Sequence, residues 1–588
     1  MSHFDALVER FLDEAFALDP VSATEIGRHE FDDRWTDLSE TGRHARLAWA
    51  ERWMAELQAL RADDLTPAER IDRDRLLMVV EDDHWDATAF RPERWSPMIW
   101  VYVLGGGLFG LLSREFSPLA VRLTSVCGRL DGMSGVVAAA REQLIGFDGR
   151  PVSRFHTETA IGDIEGVIAL IRSAVTTAES AAADGDGDVA ALLPQLRGSA
   201  GRAEAAVEEL KAHLRDVVLP RSEGEGRLGP ELYAQRLTRV LADPSLTPEH
   251  VLAEGERAFA AVRKEMVRIA REIWPQWRPG DAMPDDEGEL VRGVLDAVAE
   301  DRPTAETLLD DCRASLERIE AFCRETELIG LPDEPLAIEW TPTFLRSFAN
   351  AMLDAPGPFD RSERTFFFVT PPDDDWPKEQ VDSYLREQNR RQLAILTIHE
   401  AVPGHYLQIA YGNKASSLVR SVFGDSQYAE GWAVYVTQVM IDRGFADGDP
   451  ALLLAHWKYF LRAATNAILD VRTHTEGLTE ADALDLMIRG GFQEEAEARA
   501  KWRRARLSSG QLCTYFVGGL AFWDLERAVR LRRAAEAGAA DPEAVVPHQR
   551  IVGDLGETPG FNYRAHLEAV ISTGKLPLPL LRRAILPD

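Results

Sequence analysis

At 393–409 the chain reads LAILTIHEAVPGHYLQI, and three side chains in this stretch can do chemistry together. His399 and Glu400 close an apolar run, and His405 follows a Pro-Gly pair. Two histidines and an acid on a helix are the parts of a zinc hydrolase site. In H-E-x-x-H, four residues advance about 400°, so both imidazoles share one face. Here the separation is six residues, about 600°, which on an unbroken helix would aim the rings about 120° apart. Pro403 lacks an amide proton and its ring crowds the preceding turn, whereas Gly404 accepts unusual dihedrals. A two-residue bulge at that pair is expected to return His405 to the face of His399. With 13 histidines in the chain, H-E-x-x-x-x-H arises by chance only about 0.03 times. The bland alternative is two partly buried histidines on a kinked core helix. Glu430, in SQYAEGWAVYVTQVMI, is the third candidate ligand, because a lone carboxylate on so apolar a helix is costly unless paired or metal-bound. Two His and one Glu leave a fourth position for water, so one zinc ion per chain is the expected cofactor.

HEAVPGH with Gln408 three residues on, followed by EGWAVY, resembles the bacterial family defined by HExxPGHxxQ and long labelled a domain of unknown function. That family is placed among helical zinc metallopeptidases of the thimet-oligopeptidase and carboxypeptidase-Taq type. The resemblance covers nearly the whole chain, from FLDEAFALDPVSATEIGRHEFDDRW through RLGPELYAQRL and TPEHVLAEGE to LDVRTHTEGLTEADA and GQLCTYFVGG. It implies a zinc site of His399, His405 and Glu430 with Glu400 as general base. From its later blocks it offers His474 and Tyr515 as donors to a developing oxyanion. Many members have His where Tyr406 stands, Pro where Ser509 stands and an acid where Thr437 stands. The last departure leaves the usual carboxylate partner of a metal-bound imidazole unassigned, and Val434 cannot supply it. Taken as plain residues, His474 is equally a histidine favourable to a helix C-terminus, and Tyr515 a core tyrosine. His456 lies eighteen residues before His474, about 27 Å along a continuous helix, so the two cannot share one metal.

The expected activity is hydrolysis of peptide or other amide bonds, with Glu400 taking a proton from water and returning it to the leaving amine. The alternative is an amide hydrolase acting on a non-peptide or specialised metabolite. A third reading, a silent binding protein, sits poorly with the joint presence of all four residues. GGGLFG at 105–110 satisfies G-x-G-x-x-G, but no second strand–helix unit follows, and a glycine-rich bend in the helical core explains it better.

The elements that must position these residues are mainly helical. Apolar residues recur at helical spacing over 4–18, 42–61, 66–83, 115–145, 158–182, 190–218 and 247–273, and again from about Lys378 almost to the end. LAIEWTP (336–342) and RTFFFVTPP (364–372) are the strand candidates, separated by a turn-rich loop, MLDAPGPFDRSE. The second could pack Phe366 and Phe368 on the core or serve as an edge for a peptide backbone. A mainly α fold is therefore expected, a large metallopeptidase-like body with a small antiparallel sheet beside the active-site helix. An N-terminal helical region, 1–330, would precede a catalytic region, 331–588.

The 588 residues carry a net charge of −31. That disfavours nucleic acid and anionic lipid as partners and weakly favours neutral or cationic substrates. The longest apolar stretch, Met98 to Leu112, is too short to span a membrane. The acidic N-terminus has no signal-peptide core, and the four cysteines (Cys127, Cys312, Cys323, Cys513) form no framework, so a reducing cytoplasm is expected. The oligomeric state is left open.

Overall fold

The computed structural model describes residues 3–334, 336–341, 351–360, 364–372, 376–546 and 556–587. It is 72% helix and 3% strand, as the periodicity predicts. Helix starts follow their capping residues: the Thr247 side chain accepts from the His250 amide and that of Thr479 from the Asp482 amide. The described residues divide into two compact units, one up to Gly226 with the 356–360 segment, the other from Arg227. The division does not fall near 330, where the composition shifts. The helix Pro248–Trp277 belongs to the second unit because it lies along Pro450–Thr475. Gly255 permits this, since a β-carbon there would meet Ile468 at 3.1 Å.

In the first unit the glycine triplet lies inside an uninterrupted helix, Pro97–Ser113. It is neither a bend nor a phosphate loop. Trp35 occupies the space a side chain at Gly107 would need, also lies against Gly132, and donates its indole N–H to the Arg129 carbonyl at 2.7 Å. Among the described residues no single helix is long and apolar enough to cross a membrane.

The second unit holds the sheet, of three strands: β1 (Leu336–Trp340), β2 (Ala351–Asp354) and β3 (Thr365–Val369) in the order β1-β3-β2. It is mixed, not wholly antiparallel, because β2 forms within the expected loop and returns the chain so that β3 runs parallel to β1. Residue 342 of the first strand candidate and residues 361–363 of the loop lie outside the described residues. Both sides of β3 are paired, so it offers no free edge to a substrate. Phe367 and Val369 enter the core formed with Leu308, Cys312, Leu385 and Leu393, and Phe368 is buried as well, whereas Phe366 is half-buried. Phe366 and Phe368 stack on each other at 5.2 Å. Leu393 belongs to the helix Arg390–Glu400, so the sheet fixes one flank of the element that carries His399.

The other flank depends on two glycines. The helices Ser426–Asp442 and Cys513–Glu536 cross with backbones in contact: a β-carbon on Gly431 would overlap Gly518, and one on Gly518 would stand 2.7 Å from Gly431 Cα. Gly431 follows Glu430, and Gly518 lies three residues after Tyr515, so this crossing sets how near those two side chains come. Gly518→Ala should lower unfolding stability by about 1–3 kcal/mol through forced separation of the helices, read as a lower urea midpoint. A midpoint equal to that of the parent protein would contradict backbone contact at the crossing.

Candidate metal centre

Asn389 caps the His399 helix by accepting from the Arg391 and Gln392 amides, and the helix ends at Glu400. The expected bulge is instead a complete break. Residues 401–404 are non-helical, the Val402–Pro403 peptide is cis, and a new helix begins at His405. Restarting the helix removes the six-residue phase problem, since His405 need not keep the rotational register of His399. Gly404 is required by close approach: a β-carbon there would overlap the carbonyls of Ile398 and His399. Its amide donates to Ile398 O at 3.1 Å. The helix Ser426–Asp442, capped by Asp425, clamps this turn from the side. Trp432 donates its indole N–H to Pro403 O at 2.8 Å, and Gln408 donates to Tyr428 O at 3.2 Å. The residues flanking Glu430 thus hold the loop that aims both histidines.

His399, His405 and Glu430 each offer a ligand atom, all within 4.8 Å of one another. Nε2 of His399 stands 3.6 Å from Glu430 Oε2, and Nε2 of His405 stands 3.4 Å from it. Charge-assisted N–H···O bonds are about 2.7–2.9 Å, and Oε2 is buried without a hydrogen bond. A tetrahedral ion with bonds of about 2.0–2.1 Å holds its ligands roughly 3.3 Å apart, so the donor set and its spacing fit zinc. Burial alone would depress the His405 pKa, but the Glu430 carboxylate outweighs it and raises it to about 9. Burial likewise opposes ionisation of Glu430, yet the two imidazoles hold it well below the usual carboxylate range. His399 Nδ1 is also buried without a partner. Thr437 does not reach it, donating instead to Ala433 O at 2.7 Å, and Val434 packs on Gly519.

Glu400 makes no hydrogen bond or ion pair among the described residues. It lies near enough to His405 and Tyr459 to act on both electrostatically. Tyr515 is brought to the cluster: its ring stacks on His399 at 6.3 Å and its hydroxyl accepts from Arg504 at 3.2 Å. His474 is not. It lies fifteen residues beyond Tyr459 on one helix, about 22 Å of rise. Its Nδ1 accepts from the Leu228 amide, its Nε2 meets the Ala505 carbonyl at 3.0 Å, and its ring stacks on Tyr233. It is a buried tie between backbone segments, and its expected catalytic place is corrected. His456 meets Gln438 at 2.8 Å and is likewise elsewhere.

Two residues near the centre went unread in the sequence. Tyr459 packs on His399 with ring centroids 5.4 Å apart, and Trp432 fixes the break. The EGW triplet was a usable signal, because a tryptophan two residues from a ligand must share its helix end. Trp432→Phe keeps the ring but leaves the Pro403 carbonyl unpaired in the core. We expect a loss of about 1–3 kcal/mol in denaturant unfolding, and an unchanged stability would show that the bond does not hold the turn.

Comparison with known proteins gives the fold company but no activity. A solved structure described as "a putative lipoprotein of unknown function from Shewanella oneidensis" is 28% identical over 99% of both chains, with a TM-score of 0.79. A second, "the putative lipoprotein from Colwellia psychrerythraea", is 17% identical over 100% of this chain and 99% of that one, with a TM-score of 0.75, and shows the shared fold alone. No curated protein matches the sequence. The description of the Shewanella oneidensis protein as a lipoprotein contradicts the cytoplasmic location expected from the cysteines. All four are buried free thiols, which need no reducing compartment to stay unpaired. The family model for bacterial proteins of unknown function (DUF885) matches residues 20–585, and the chain belongs to that family.

Proposed function

We propose that the chain is a zinc-dependent hydrolase of peptide or closely related amide bonds, similar in mechanism to helical metallopeptidases. The observation that carries this reading is Glu430 Oε2, buried and unbonded at 3.4 and 3.6 Å from two imidazole nitrogens. Beside it Glu400 adjoins a ligand in sequence and keeps its own carboxylate uncommitted. A zinc ion held by these three side chains would supply Lewis acidity toward an amide carbonyl and toward water.

The chain's own groups do the rest. Glu400 takes the proton of a water whose oxygen bonds to the carbonyl carbon. As the C–N bond breaks, Glu400 returns that proton to the leaving nitrogen, so the products are a carboxylic acid and an amine. Tyr515, whose ring stacks on His399, donates to the carbonyl oxygen as charge develops there, a contribution worth about 3 kcal/mol when the donor is preorganised. Burial, then the Glu430 charge, raises the Tyr515 pKa to about 12, so its hydroxyl keeps its proton at neutral pH. Tyr459, half-buried, packs its ring edge-on against His399.

Glu400→Gln should lower hydrolysis of a peptide library, read by mass spectrometry, by at least about 10²–10⁴-fold. Zinc content by elemental analysis should stay at the parent level, because Glu400 is not a ligand. An active Glu400→Gln protein would remove the general base from this account. A parent protein loaded with zinc but inert toward both peptides and acyl amides would remove the activity.

A further inference from the structure

The helix Glu495–Leu507 carries Glu497, Lys501 and Arg504 along one face, at spacings of four and three residues. That face meets the Tyr459 helix, which carries Lys458 and Arg462. Two cations in this group have carboxylate partners: Arg462 pairs with Glu497 at 2.6 Å, and Lys458 with Glu387 at 2.8 Å. Two do not. Lys501 is only 6% exposed, and its ammonium makes no ion pair or hydrogen bond among the described residues. Arg504 donates to Gln511 Oε1 at 2.8 Å and to Tyr515 Oη at 3.2 Å, both neutral groups.

An unpaired buried ammonium is costly, and it is found where something else brings the counter-charge. Burial, followed by the positive charge of Arg462, pulls the Lys501 pKa well below the usual lysine range against the opposing charges of Glu497 and Glu430, and a bound carboxylate would add to that opposition and favour the ammonium. The position of this cation pair relative to the candidate metal centre is what gives it meaning. Arg504 holds the hydroxyl of Tyr515, whose ring stacks on His399. Lys501 lies close enough to Glu430 to feel its charge. Arg504 is thus linked to the candidate metal centre through one side chain, Tyr515, and Lys501 through the charge of Glu430. One residue of extended chain spans roughly 3.5 Å, so a carboxylate on the residue released by hydrolysis falls within reach.

We propose that Lys501 and Arg504 form an anion subsite that takes a substrate carboxylate on the leaving-group side of the scissile amide. The substrates are then peptides cut next to their free carboxy terminus, or small amides whose amine half carries a carboxylate. Arg504 contributes a planar fork matched to two carboxylate oxygens, and Lys501 a point charge from below. The overall charge of −31 does not oppose this, since recognition within a buried site is set by the nearest charges. This subsite rests on the amide-hydrolase reading for its chemistry but not for its binding, and the test separates them.

Binding is measured calorimetrically on the zinc-dialysed Glu400→Gln protein, with N-acetylated tripeptide pools in matched free-acid and carboxamide forms. The free acids should bind at least tenfold more tightly than the amides. Lys501→Met and Arg504→Gln, each added to that background, should reduce the difference to threefold or less. Should Lys501→Met fail to fold, the less buried Arg504→Gln decides alone. Equal binding of acids and amides, absence of binding by either, or a preference that survives Arg504→Gln overturns the subsite. A clear acid preference in a protein whose Glu400-containing form cleaves nothing would leave the subsite standing and remove the hydrolase reading.

Discussion

Glu430 is a carboxylate on an otherwise apolar, buried helix, and the arrangement around it follows from the need to compensate that charge. The two imidazoles do so electrostatically, holding the carboxyl ionised, yet at 3.4 and 3.6 Å neither hydrogen-bonds to Oε2. Three separate devices maintain this spacing. The helix break at 401–404 turns His405 back toward His399. Trp432 and Gln408 tie that break to the Glu430 helix. The glycine contact at Gly431 and Gly518 presses the Tyr515 helix onto the same spot. Each uses backbone or a rigid aromatic group, which suits a site where displacements of about 1 Å matter.

The same crowding explains which neighbours stay uncommitted. Tyr459 and Tyr515 pack on His399 and a cationic face from 495–507 lies beyond them, whereas Glu400 stands at a helix end with no partner among the described residues. Acid–base capacity, a hydroxyl donor and surplus positive charge thus surround one small volume inside one unit. His474 shows the contrast. Its nitrogens meet the Leu228 amide and the Ala505 carbonyl, which leaves it no capacity for chemistry.

Much of this was legible in the sequence where a local rule governs. Helical periodicity and caps predict most of the long helices, and the residue types in HEAVPGH and at Glu430 point to the three side chains that lie together. What was not legible depends on contacts distant along the chain. The glycine triplet at 105–107 reads as a bend, but Trp35, seventy residues earlier, needs the missing side chain at Gly107. The boundary near 330 follows composition, while the packing of Pro248–Trp277 along Pro450–Thr475 places the division at Gly226. Four residues, Ala351–Asp354, are too few and too close to proline and glycine to announce β2, which exists because β3 offers it a partner. Lys501 and Arg504 look like solvated charges on a polar helix until the opposite face of the Tyr459 helix is known. Compartment is a different matter, since buried, separated thiols behave alike under oxidising and reducing conditions.

The proposed chemistry depends on His399, His405 and Glu430 together holding one zinc ion. The most direct measurement is elemental analysis of the parent protein and of Glu430→Gln after equilibrium dialysis against limiting zinc and removal of free metal. One zinc per chain is expected in the parent, with at least a tenfold loss of retained zinc in the variant and the fold intact by circular dichroism. Equal, stoichiometric zinc in both proteins, or none in the parent, would contradict it.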